Sequence, residues 1–147
     1  LKEFKNRWFA VGVRNGQRAV THLALDRILE LSLDEKIVYR ENTELDPELF
    51  YRDAIGVTVS ENMRAEKVQI WVNLEHAPYV ETKPLHHSQI VQEKLEDGII
   101  IQIQVQLNFE LEKEILGFGE GMKVLAPERL KKRILYRMSK GLQNYES

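Results

Sequence analysis

Two predicted strands near the amino end carry the side chains that are best suited to bind a ligand. Residues 7–14 and 17–25 are rich in β-branched and aromatic types, and Asn15-Gly16 between them is typical of a two-residue type I′ turn. Pairing around that turn places two arginines, an aromatic ring and an imidazole on one face: Arg7, Phe9, Arg18 and His22. Guanidinium groups match phosphate oxygens, and aromatic rings stack on bases. The face is therefore suited to a nucleotide or a single-stranded nucleic acid.

The same hairpin also allows a purely structural interpretation. Its predicted register places Phe9 opposite His22 and Val11 opposite Val20, with Trp8 on the other face. Phe9 would then belong to the core, and the arginines would be ordinary charges that protect a sheet edge from further pairing. The residues alone leave both interpretations open.

Other reactive sites find little support in the sequence. The chain has no cysteine, which excludes disulfides, thiolate zinc sites, iron–sulfur clusters and a cysteine nucleophile. His86 and His87 are neighbours on a predicted strand and should point to opposite faces, so we expect no metal site. The glycine-rich run 117–121 lacks the Lys-Ser/Thr of a phosphate-binding loop and indicates a helix end, and no Gly-x-Ser-x-Gly elbow occurs. We expect neither catalytic residues nor a cofactor.

Length and charge bound the architecture. The 147 residues allow one domain or two small ones, and the net charge of −2 conceals three zones. Residues 1–27 hold six basic and two acidic residues, 28–53 hold three basic and eight acidic, and 127–144 hold six basic and one acidic. Apolar runs are far shorter than the roughly 20 residues that cross a bilayer, and no signal peptide is evident. We expect a cytoplasmic protein without a membrane partner.

The first part of the chain predicts a small β module. A third strand is expected at Ile28 to Leu33, after a bend at Asp26-Arg27. Asp46 and Pro47 are typical of a helix cap and first helical position, which predicts a short helix over 47–54 that ends before Gly56. We place a domain junction near residues 54–60.

The second part predicts the order β-α-β-β-α-β-α, a split βαβ arrangement of the ferredoxin-like kind with a final helix. The expected strands are 66–73, 86–95, 99–109 and 122–125, and the expected helices are 75–82, 110–117 and one that opens at Pro127.

Two faces in this second part are predicted from their spacing. In the long strand, isoleucines alternate with a polar set that should face solvent or a partner: Gln102, Gln104, Gln106 and Asn108. In the final helix, four apolar residues recur every fourth position and should form one buried stripe under a basic outer face: Leu130, Ile134, Met138 and Leu142.

The motifs of both parts resemble a known family. The run Arg7-Trp8-Phe9-Ala10 followed by Leu23 to Ile28 (Leu-Ala-Leu-Asp-Arg-Ile) resembles the WYL domain, although Phe9 and Ala10 stand where that family has Tyr and Leu. The runs Phe109 to Gly119 and Val124 to Leu130 resemble the WCX extension that follows WYL, and 46–56 resembles the linker between them.

This resemblance implies an α+β protein with a partial Sm-like β-barrel in residues 1–56 and a ferredoxin-like WCX module in residues 57–147. Such proteins are bacterial transcription regulators with an amino-terminal helix-turn-helix, and their WYL module senses a small effector or single-stranded nucleic acid. Arg7, Trp8, Asp26 and Arg27 match the motif, whereas Arg18 and His22 come from the hairpin geometry. The predicted ligand-binding set is Arg7, Trp8, Phe9, Arg18, His22, Asp26 and Arg27.

Two functional hypotheses follow from these patterns. The first is an effector-sensing region of a homodimer, in which an anionic ligand alters the geometry of the dimer. The second is a structural dimerisation module without a ligand, joined through the glutamine face or the last helix. The chain opens at Leu1 without a Met, so we expect a fragment whose contact with duplex DNA would come only from a domain outside it.

Overall fold

The computed structural model describes residues 1–14, 16–38 and 41–146, and it confirms an α+β architecture. The chain divides into two compact units, Leu1–Phe50 and Tyr51–Ser147. Each described unit contains one antiparallel sheet, with three strands in the first and four in the second.

The first unit is a meander of three strands in the order β1-β2-β3. Its elements are β1 (Lys2–Phe4), β2 (Arg7–Val13), β3 (Val20–Ala24), a 3-10 turn at Leu25–Arg27 and the short helix α1 (Pro47–Tyr51). As predicted, α1 begins at Pro47, and the Asp46 carboxylate accepts a hydrogen bond of 2.9 Å from the Glu48 N–H. The helix ends at Tyr51, earlier than the predicted residue 54.

A two-residue turn of positive φ joins β1 to β2, although the sequence there carries no turn motif such as Asn-Gly. Lys5 and Asn6 have φ of 50° and 62°, and Phe4 lies opposite Arg7, which is the geometry of a type I′ hairpin. The Glu3 carboxylate accepts a 2.6 Å hydrogen bond from the Asn6 N–H. Asparagine tolerates the left-handed region, so the turn forms without glycine.

The hairpin of β2 and β3 exists, but its predicted register was wrong by two residues. Phe9 lies opposite Ala24 and Val11 lies opposite His22. This register aligns Ala10 with Leu23 and Val13 with Val20, so more apolar side chains face each other than in the predicted one. Gln17 N–H does bond Arg14 O at 2.9 Å, although Asn15, the first position of the predicted turn, lies outside the described residues.

The register change has two consequences for the predicted site. A register shift of two residues keeps every side chain on its own face of the sheet, so Phe9 and His22 still lie on the same face. Arg18 instead lies in the loop before β3, because that strand begins only at Val20. The third strand predicted at 28–33 was also wrong: the segment has no strand partner, and Leu29 and Leu33 are fully exposed.

The second unit has the predicted element order β-α-β-β-α-β-α. Its elements are β4 (Glu66–Asn73), α2 (Ala77–Thr82), β5 (Ile90–Lys94), β6 (Gly98–Val105), α3 (Phe109–Gly117), β7 (Met122–Ala126) and α4 (Glu128–Glu146). The sheet order is β5-β6-β4-β7, and all pairs are antiparallel. Two strands are shorter than predicted, since β5 begins at Ile90 and β6 ends at Val105.

The core lies between one face of this sheet and the helices. Alternate residues of β4, β6 and β7 meet apolar residues of α2, α3 and α4, and the innermost are Val68, Ile70, Ile101, Ile103, Leu111, Ile115 and Leu130. Phe109, predicted to continue the apolar face of the strand, instead begins α3 with half of its side chain exposed, because Asn108 caps that helix.

Helix α4 extends past this core. Leu130 and Ile134 of the predicted stripe are buried, whereas Met138 and Leu142 are 37% and 59% exposed. The helix has 19 residues and is about 28 Å long at 1.5 Å per residue, so only its first half packs on the unit.

Candidate functional site

The aromatic part of the predicted ligand face forms on the sheet of the first unit. Phe9 and His22 lie on the same face of β2 and β3, and both are half-buried. The His22 ring stacks on Phe50 of α1, with centroids 6.1 Å apart and an interplanar angle of 25°. The structure thus adds Phe50 to the predicted set. Its sequence signal was only an apolar position in a short helix.

An ion pair holds the charged part of this site. The Arg7 guanidinium at the start of β2 lies 3.2 Å from the Asp26 carboxylate in the 3-10 turn, and both side chains are about half exposed. Arg7 and Phe9 are two residues apart on one strand, so they share a face. A guanidinium carries five N–H donors, and one carboxylate leaves several of them available to a second anion.

Three residues of the predicted set lie elsewhere. Trp8 projects from the opposite face of β2 and is 51% exposed. Arg18 lies in the exposed β2–β3 loop, and Arg27 is exposed at the end of the 3-10 turn. The structure therefore places Phe9 and His22 on one face and pairs Arg7 with Asp26, whereas Trp8 and Arg18 join neither pair.

A histidine pair in the second unit corrects another prediction. The residues precede β5 instead of lying on a strand, and their rings are 4.1 Å apart. His86 Nε2 and His87 Nε2 donate to the same acceptor, the carbonyl oxygen of Arg52, at 2.9 and 2.7 Å. Burial and the neighbouring His87 lower the pKa of His86. The pair anchors the backbone just after α1.

The predicted polar face of the long strand is partly internal. Gln106 and Asn108 are buried, and their amides bond the backbone of the preceding segment. Gln106 accepts from Ser60 N–H at 3.0 Å and donates to the Met63 carbonyl at 2.8 Å, while Asn108 donates to the Ile55 carbonyl at 2.8 Å. Buried amides need such partners. These two residues therefore fasten the segment between α1 and β4 and leave the exposed polar face to Gln102 and Gln104.

The basic face of α4 is also partly used inside the unit. Arg133 and Arg137 both pair with Glu112 of α3, whose side chain is only 1% exposed. Arg133 also donates to the Leu107 carbonyl, and the Arg137 guanidinium lies 5.2 Å from the centroid of the Phe109 ring. Two of the six cations counted in this region thus stabilise the contact between α3 and α4.

Metal clusters and membrane-spanning helices are both missing from the part of the chain that the structure describes. It contains no cluster of three or more His, Asp or Glu side chains placed to hold a metal ion. None of its helices combines the length and apolar character that a membrane span requires.

The second part of the chain matches a known domain family. The model of the WCX domain family matches residues 64–142, slightly more than half of the chain and most of the second unit. No curated protein matches the chain.

Proposed function

The chain belongs to the WCX domain family, and we propose that it is the effector-sensing and dimerisation region of a helix-turn-helix transcription regulator. The WYL-like motifs in the first unit support this proposal, because in the regulators that the chain resembles a WYL module is followed by a WCX extension. Contact with duplex DNA would come from a separate domain, and the region itself would act in the cytoplasm without catalysing a reaction.

The arrangement of the strands supports a finer assignment of both modules. In the second unit, the βαββαβ order with strands arranged β7-β4-β6-β5 favours a ferredoxin-like fold. In the first unit, the three-strand meander with its terminal 3-10 turn favours part of an Sm-like barrel. Residues 1–56 would then be the WYL part with its linker, and residues 57–147 the WCX part.

The proposed ligand is anionic, either a nucleotide or a single-stranded nucleic acid. One observation carries this choice: the Arg7 guanidinium, oriented by Asp26, lies on the strand face that also presents Phe9 and His22. A phosphate would bind the free donors of Arg7, and a base would stack on the rings. Arg18 and Arg27 would add positive charge from the adjoining loop and turn, and Trp8 would contact a ligand that reached the other face.

Binding of a fluorescent 12-nucleotide single strand tests this site. The Arg7→Gln variant should weaken binding severalfold and lower the salt dependence of log Kd by about 0.7 for one lost phosphate contact. Arg14→Gln is the matched control, because Arg14 is also an exposed arginine, lies just after β2 and is outside the predicted ligand-binding set. Equal affinities of the two variants and of the unaltered chain would exclude the assigned site.

A second candidate function is dimerisation without a ligand, and the exposed end of α4 favours it. Four residues recur at heptad spacing on this end and are exposed by 37% or more: Leu135, Met138, Leu142 and Tyr145. Such a seam fits the same helix of a second copy. Light scattering should then report a dimer that Leu142→Glu dissociates, whereas Tyr136→Glu, beside the seam, should not. A concentration-independent monomer would exclude this function.

A further inference from the structure

The sheet of the second unit has one face that its helices do not cover. The residues of β4 that alternate with the core point to this open face, and Trp71 stands at its centre. Trp71 lies directly opposite Ile100 of β6 on one side and Lys123 of β7 on the other. Cross-strand partners have Cβ atoms about 5 Å apart. The Trp71 indole, the Ile100 side chain and the Lys123 ammonium therefore form one continuous surface.

A shallow depression surrounds the indole ring. Its volume is about 350 Å³, and it is lined by Trp71, Leu95, Asp97, Ile100, Lys123 and Leu125. This is at the lower end of the volumes of small-ligand sites. The Trp71 Nε1–H lies 3.4 Å from the Asp97 Oδ1 that accepts it, which fixes the edge of the ring. An indole held in this way is a rigid, partly exposed stacking surface.

The two charged groups of the depression have different roles. Asp97 already accepts a hydrogen bond from the Trp71 indole through Oδ1. Its second oxygen can accept a hydrogen bond from the amino group of a base. Lys123 is exposed, and among the described residues no carboxylate lies within ion-pair distance of it. An ammonium beside a stacking ring is the combination that single-stranded nucleic acids need, with the base on the ring and the phosphate on the cation.

We propose that this open face is a second contact surface for single-stranded nucleic acid, in which Trp71 stacks on a base and Lys123 binds the adjoining phosphate. The inference rests on the proposed function for the class of ligand, but it uses residues of the other unit. Ile100 and Leu125 form the apolar floor beside the ring. A duplex should bind poorly, because its bases are already stacked on one another and cannot reach the indole.

The chain has two tryptophans, so removing Trp8 makes the fluorescence specific to this surface. In Trp8→Phe, fluorescence reports Trp71 alone, and Trp71→Phe is the control that lacks the Trp71 indole. The whole chain of each variant is titrated with a 12-nucleotide oligo(dT), and with a duplex of the same length. We expect the single strand to quench Trp71, and the duplex to leave it unchanged.

A charge variant gives a second measurement. Lys123→Gln in the Trp8→Phe chain should lower the affinity measured by quenching severalfold. It should also reduce the slope of log Kd against log salt by about 0.7. Lys113→Gln is the matched control, since Lys113 is an exposed lysine on α3, on the helix side of the sheet. Equal effects of the two substitutions would overturn the assignment of Lys123.

The outcomes separate this inference from the proposed function. Quenching of Trp71 together with weaker binding by Arg7→Gln supports both surfaces. Quenching of Trp71 with an affinity that Arg7→Gln leaves unchanged supports the inference and overturns the site on the first unit, whereas an unquenched Trp71 with weaker binding by Arg7→Gln does the reverse. An unquenched Trp71 with an unchanged affinity in Arg7→Gln overturns both proposals, and an equal response of Trp71 to the duplex overturns the single-strand assignment.

Discussion

The imidazole rings of His86 and His87 lie 4.1 Å apart and donate to one carbonyl oxygen, that of Arg52. His86 Nδ1 also lies 2.7 Å from Ser88 Oγ, so the buried ring has a polar partner at each nitrogen. Charging both rings would place two cations side by side, one of them away from water. The link between the backbone at Arg52 and the segment before β5 should therefore depend on pH.

Acidification should weaken this unit. The folded pKa of His86 is lowered, chiefly by burial and then by His87, so the unfolded chain binds more protons as the pH falls below about 6.5. The free energy of unfolding is then highest above this pH and declines with acidification until the folded pKa is passed. The decline has a limit of about 1.4 kcal/mol per pH unit for one proton.

Urea unfolding from pH 7.5 to pH 5 measures this dependence. His86→Gln should flatten the profile, and His87→Gln should narrow the pH window of the decline, because His87 no longer opposes the charge on His86. Identical profiles for His86→Gln and the unaltered chain would show that another group controls the acid response.

Removing the two arginines that pair with Glu112 should destabilise the protein more than removing the Glu112 charge itself. Removing Arg133 and Arg137 together leaves a buried carboxylate with no cation, and should cost about 3–5 kcal/mol. Glu112→Gln removes the buried charge and leaves arginines that water can reach, so it should cost about 1–2 kcal/mol. Chemical denaturation compares the two. A larger loss in Glu112→Gln would contradict the burial argument.

Two neighbouring isoleucines test the orientation of β6. Ile101 is fully buried in the core, whereas Ile100 lies on the open face. Ile101→Ala should lower the free energy of unfolding by about 2–5 kcal/mol through the cavity it leaves. Ile100→Ala should lower it by about 1 kcal/mol or less, since it leaves no enclosed cavity. Similar losses at both positions would contradict the arrangement in which helices cover one face of β6 and leave the other open.

The turn between β1 and β2 should respond to the φ of Asn6. Asn6→Val forces a β-branched residue into a positive-φ position and should destabilise the hairpin by about 1–2 kcal/mol, whereas Asn6→Gly should have little effect. Hydrogen exchange of the amides in β1 and β2 measures the difference. Slower exchange in Asn6→Val than in Asn6→Gly would rule out this turn geometry.

The sequence predicted the second unit well because its pattern is strongly periodic. The bounds of β4 agree with the prediction, since Val68, Ile70 and Val72 alternate with Gln69 and Trp71 on the other face. The start of α1 was predicted by Asp46 and Pro47, whose chemistry is local. These signals need no knowledge of distant contacts.

The remaining features depend on contacts that no local pattern contains. The Asn15-Gly16 motif predicted a register that pairing of apolar residues across β2 and β3 overrides. The stripe of α4 has a helical period to Leu142, yet the core ends near Ile134. Amides such as Gln106 resemble exposed polar residues in the sequence, although a loop 46 residues earlier supplies their partners.

The central claim is that the first unit binds single-stranded nucleic acid through the face of β2 and β3. Photo-crosslinking of the whole chain to a 12-nucleotide strand that contains 5-bromouracil, followed by mass spectrometry of the peptides, tests it most directly. Crosslinks at Phe9 or His22 that disappear in Arg7→Gln and persist in Arg14→Gln are the expected result. An absence of crosslinks in residues 1–50, with crosslinks elsewhere or none at all, would contradict the claim.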